Sequence, residues 1–156
     1  MFRQFKFEEE LYQKLDRIPV STQFKLDSLG LVFPLEAWKR LALPERWVFC
    51  HLSIRSKGER ECYTQYLSYV LHRDKVTLPK TAESSDAQRS WEDISRLPGE
   101  VAQKMRELDL PLFWHEWIKM DDMERYSLFK LCRENADQNS IRQAVQEFLG
   151  LSHVRP

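Results

Sequence analysis

The stretch GERECYTQYLSYVLHRD, residues 58–74, sorts cleanly on a helical wheel. At 100° per residue Tyr69, Cys62, Tyr66, Val70, Tyr63, Leu67 and Leu71 sweep more than half the circumference. Glu61, Gln65, Ser68 and His72 take the remainder. This predicts the longest helix of the chain, over about 59–73, and an apolar arc so wide is expected of a central helix.

Outward from it, prolines punctuate the sequence where helices begin. Pro19, Pro34, Pro44, Pro98 and Pro111 each precede a helix-like run, and a proline's missing N–H is harmless in a first turn. Phe7, Leu11, Leu15 and Ile18 repeat every three or four residues, predicting an amphipathic first helix whose acidic start, Glu8 to Glu10, suits the helix dipole. A second helix is expected from Pro19 to Leu29, stopped by Gly30 with Leu31 packing back. PLEAWKRLAL and PERWVFCHLSI read as two short helices. Residues 75–89 are polar and without period, and read as a surface loop. A turn or helix opens at Ser90, and PGEVAQKMRELDL follows with Val101, Met105 and Leu108 on one stripe. Asp121 and Glu124 form an acidic capping box before RYSLFKLCRE, and Asn139 is expected to cap SIRQAVQEFLG.

No run alternates for long enough to make a central strand, and four glycines are few for a sheet protein. The expectation is an all-α fold, one compact domain over 1–156 made of about seven to nine short helices. A chain of this length can bury roughly 70% of the surface it exposes when unfolded.

Composition narrows the function classes. Lysines plus arginines and aspartates plus glutamates number 24 each, so the charge footprint of a nucleic-acid binder is missing. Residues 1–76 carry a net charge of +3 and the rest −3, a mild asymmetry that can orient a protein partner. No window approaches a membrane span, and MFRQFKFEEE does not read as a secretory signal. Three widely spaced cysteines, Cys50, Cys62 and Cys132, fit reduced thiols in the cytoplasm.

Spacing separates sites from packing. In LPLFWHEWIKM, residues 110–120, Trp114 and Trp117 bracket His115 and Glu116, as in a proton relay or metal site. Yet Met120, Phe113, Trp117, Trp114 and Ile118 share one arc, while His115, Glu116 and Lys119 share the opposite one, which predicts core packing with surface ion pairing. Cys50 and His51 are adjacent, without a second pair at ligand spacing, so neither metal nor cofactor is expected. The basic cluster Arg55, Lys57 and Arg60 reads as a solvated turn. No nucleophile elbow or glycine-rich phosphate loop is present, and no catalytic residue is assigned. Two places break the pattern. In VSTQFKLDSLG, Val20 and Phe24 lie opposite Leu26 and Leu29, so this helix is either sandwiched, with Lys25 snorkelling outward, or offers an apolar face to another molecule. Arg125 falls on the apolar arc of its helix and calls for a carboxylate partner.

The order of these pieces resembles the nitrate reductase-associated proteins found mainly in cyanobacteria. Phe5-x-Phe7-Glu8, Ile18-Pro19, the turn Lys25-Leu26-Asp27-x-x-Gly30 and Trp38 four residues after Pro34 carry the likeness at one end. ERYSLFKLCRENADQNSIRQAVQEFLGL carries it at the other. The resemblance implies a cytoplasmic accessory protein of assimilatory nitrate reduction that supports the activity or maturation of the molybdoenzyme. With the split faces of the second helix and the lack of a catalytic constellation, the leading expectation is a non-enzymatic protein that contacts nitrate reductase or a molybdenum-cofactor maturation protein, with no membrane or nucleic acid involved. The resemblance brings no catalytic set. The expected contact surface is Val20, Phe24, Lys25 and Asp27. The alternatives are a small all-α enzyme handling a cofactor precursor, with Arg125, His51 or His72 in a pocket, and a nucleic-acid-binding regulator.

Overall fold

The structure is a computed structural model and describes residues 2–77 and 86–150. Among these residues there are nine α-helices, two 3₁₀ turns and no strand, so the all-α expectation holds. They fall into two compact units, residues 2–4 with 9–77 and residues 5–8 with 86–150.

The first unit contains α1 (Leu11–Lys14), α2 (Val20–Ser28), α3 (Leu35–Arg40), α4 (Leu43–His51) and α5 (Lys57–Arg73). Its core is Leu15, Leu26, Phe33, Trp38, Phe49, Tyr63, Leu67 and Val70 with their neighbours. Phe33 meets Trp38 and Phe49 edge-on at 5.4 and 5.1 Å, a preferred aromatic geometry. The prolines act as expected: Pro19 and Pro34 are N-caps and Pro44 sits in the first turn of α4. At α2 the stop signal is also as expected. Gly30 is left-handed, and Gly30 and Leu31 return hydrogen bonds to the carbonyls of Asp27 and Leu26.

Two expectations fail here. The first amphipathic helix is broken into a 3₁₀ turn, Lys6–Glu8, and the four-residue α1. Leu15 ends α1 in the left-handed region (φ 49°), and its carbonyl accepts from Trp38 Nε1 (2.7 Å) and Arg46 Nη1 (3.1 Å). Distant donors hold the break that the local periodicity ran through. In α5 the buried stripe is Tyr63, Leu67, Val70 and Leu71, whereas Cys62 and Tyr69 are exposed, so the helix has one wet face and is not central.

The second unit contains α6 (Gly99–Glu107), α7 (Trp114–Lys119), α8 (Asp122–Arg133) and α9 (Gln138–Phe148), with a 3₁₀ turn at Asp86–Glu92. α8 packs against α6, α9 and that turn, around Val101, Met105, Trp117, Leu128, Phe129 and Ile141. Phe5 and Phe7 lie on Phe148 (5.5 and 5.9 Å), and Glu147 accepts the backbone N–H of Lys6. The Asp121/Glu124 capping box is present, but α9 is capped by Asp137, not Asn139. Of the loop expected over 75–89, residues 78–85 lie outside the described ones, and Asp86–Glu92 is a 3₁₀ turn. Trp91 holds that turn by packing edge-on against Tyr126 (5.5 Å).

Helices α5, α6 and α8 end in the same hydrogen-bonded turn as α2, but with Lys75, Asp109 and Asn135 in the left-handed position. For lysine that conformation costs about 1 kcal/mol, so Lys75→Gly should raise stability by roughly 0.5–1 kcal/mol in urea unfolding. Arg46 donates to the carbonyls of Lys14, Leu15, Trp38 and Lys39, clasping the ends of α1 and α3. Arg46→Met, which keeps the stem and drops the donors, should cost about 2 kcal/mol in the same assay.

Candidate functional site

The residues expected to form a contact surface on α2 do not make one exposed patch. Val20 is buried, Phe24 half-buried, and Asp27 exposed at the other end of the helix. Lys25 is 5% exposed and does not snorkel. Its Nζ donates to the carbonyls of Cys50 (2.6 Å) and Leu52 (2.8 Å), the last turn of α4, 25 and 27 residues away. Those carbonyls lack partners within their own helix, and a cation is a strong donor for them. Burial pulls the Lys25 ammonium down to about 8, with Cys50 acting in the opposite direction.

Arg125 behaves as its position on the wheel required. It is buried, pairs with Asp122 one turn back and donates to the carbonyl of Met120, the C-cap of α7. Its Nε has no hydrogen-bond partner. His51 is exposed, with Nδ1 2.9 Å from the Trp47 carbonyl, and His72 is exposed on α5. Neither histidine, nor Arg125, lines the open groove of about 830 Å³ in the second unit, whose walls include Arg89, Glu92, Asp93, Arg96 and Glu100. Two ion pairs occupy that wall, Arg89 with Glu92 at 2.9 Å and Arg96 with Asp93 at 3.7 Å. Arg60 donates to the carbonyls of Ile54 and Arg55, in keeping with a solvated turn there. Among the described residues, no three His, Cys, Asp or Glu side chains come together as a metal site.

The stretch 110–120 departs most from its sequence reading. Trp117 and Met120 are buried, but Phe113, Trp114 and Ile118 are 59, 51 and 39% exposed. The apolar arc of α7 is wider than the surface that covers it. The indoles of Trp114 and Trp117 donate to the carbonyls of Ile94 (2.8 Å) and Asp93 (3.4 Å). This sets Ile94, itself 52% exposed, beside Trp114. Trp114 and Ile118, one turn apart on α7, thus expose apolar surface together with Ile94, while the Phe113 ring stacks on His115 (5.9 Å). Glu116 is not paired with Lys119 as expected. It turns back to accept from the Phe113 backbone N–H (2.8 Å) and meets His115 at 2.9 Å. The periodicity identified the arc but carried no information on which part of it another element would cover.

The family described as conserved nitrate reductase-associated protein matches residues 4–148. No curated protein and no solved structure matches the chain.

Two measurements follow from the site geometry. Lys25 is lowered to about 8 in the fold from an ordinary 10.5, so between these values the unfolded chain holds the proton more tightly. Stability therefore rises with pH across that window. Relative to Lys25→Met, the wild type should gain on the order of 1–2 kcal/mol between pH 7 and 9.5, read by urea unfolding at each pH. Cys50 and Cys132 are buried and Cys62 is exposed, with burial pushing the Cys132 thiol up to about 12. A thiol reagent at pH 8 should label Cys62 at once, and all three cysteines together only in denaturant.

Proposed function

The chain belongs to the conserved nitrate reductase-associated proteins, and from that premise we propose a non-enzymatic accessory protein that supports nitrate reductase by direct contact. The contact is made with the reductase itself or with a protein that matures its molybdenum cofactor. The match over residues 4–148 carries this reading, because it spans nearly the whole chain and both units. The exposed apolar side chains of Ile94, Trp114 and Ile118 support contact as the mode of action, since apolar surface in water favours burial against another surface. The shifted protonation states have structural causes. Arg73 holds Glu45 below the usual carboxylate range, Ser140 does the same for Asp137, and burial raises Tyr63. No helix of the described residues is long and apolar enough to cross a membrane, and we place the protein in the cytoplasm with the reductase.

The test is deletion of the gene in nitrate-grown cells, followed by separate assays of nitrate reductase polypeptide, molybdenum content and activity. Loss of a maturation contact predicts polypeptide that still accumulates while activity per polypeptide falls several-fold, with molybdenum content falling in parallel. Unchanged activity and molybdenum content in the deletion strain would refute the reading.

A further inference from the structure

We propose that residues 5–8 are a latch, the tip of a loop of the first unit that is seated in the second and makes the two open as one. The inference stands apart from the contact reading above, since it concerns the fold's own connections. Residues 2–4 and 9–77 belong to the first unit, while residues 5–8 between them belong to the second. The chain therefore leaves one unit, docks in the other and returns within a few residues. The base of this loop is closed inside the first unit. Phe2 meets Tyr12 edge-on at 5.4 Å and Trp47 at 5.6 Å, and Leu11 and Tyr12 are buried. A loop whose ends meet is compact and keeps its tip presented.

Two kinds of contact seat the tip. Phe5 is 2% exposed and stacks on Phe7 at 5.4 Å, and both rings lie on Phe148. The Glu147 carboxylate accepts the Lys6 N–H with both oxygens (3.1 and 2.9 Å) and the Phe7 N–H at 3.4 Å. The first N–H groups of a helical turn lack acceptors inside it, so α9 supplies the cap of the Lys6–Glu8 turn from 141 residues away. The seat exists only while α9 and the base of the loop are both folded. Through it each unit gains stability from the folding of the other, as a protein does from a ligand that binds only its native state.

The test is native-state hydrogen exchange of the full chain at rising, sub-denaturing urea, read peptide by peptide. In the wild type the slowest amides of α5 and of α8 should exchange in step, with one urea dependence. In Glu147→Gln, and in Phe5→Ala combined with Phe7→Ala, the two should part, one helix exchanging roughly ten-fold faster than the other. Should the double alanine variant fail to fold, Glu147→Gln alone decides. Val101→Ala weakens the core of the second unit on α6 without touching the latch, and there α5 and α8 should stay in step. Helices that exchange separately in the wild type, that stay in step in every latch variant, or that part in Val101→Ala as well overturn the proposal.

Discussion

A fold made of short helices has many helix ends, and every end leaves backbone carbonyls without partners inside the helix. Left unmade and buried, each costs roughly 1–3 kcal/mol. At α2, α5, α6 and α8 backbone N–H groups of the following turn meet that constraint, and at α1, α3, α4 and α7 side-chain donors do. The last turn of α4 shows how fully. Its Phe49 carbonyl accepts from the Tyr63 hydroxyl, and Lys25 takes the carbonyls of Cys50 and Leu52. Arg46 does the same for the ends of α1 and α3, and Arg125 for the end of α7. Cations suit the task because one guanidinium or ammonium reaches two or more carbonyls at once. Loss of hydration is the cost, and it shows in the lowered protonation range of Lys25.

This explains which parts of the fold were legible in the sequence. Helix starts were legible because prolines and the Asp121/Glu124 box act within one turn, and Gly30 marked one end for the same local reason. The ends at Lys75, Asp109 and Asn135 carry no glycine, and the break at Leu15 is held by Trp38 and Arg46, more than 20 residues on. No periodicity within α1 encodes that. Arg125 was legible because its carboxylate sits three residues away. Lys25 was not, because its acceptors lie on another helix and a lysine on an apolar arc fits snorkelling equally well. For the same reason the residues expected to share a surface on α2 do not form one exposed patch. The patch on α7 was hidden inside a stretch whose pattern reads as core.

Among the described residues the buried cations Lys25 and Arg125 are spent on helix ends. On α7 the indole N–H of Trp114 binds to the Ile94 carbonyl while half of the side chain remains in water. An aromatic anchored at one edge and open on its face loses little side-chain freedom when a partner covers it, which suits a docking residue.

The claim that buried donors tie the helix ends is tested most directly at Lys25. In a ¹⁵N-labelled sample near neutral pH, its Nζ resonance should exchange slowly with water and show through-hydrogen-bond correlations to the Cys50 and Leu52 carbonyl carbons. A Lys25 signal that exchanges as fast as those of exposed lysines, with no such correlations, would contradict the account.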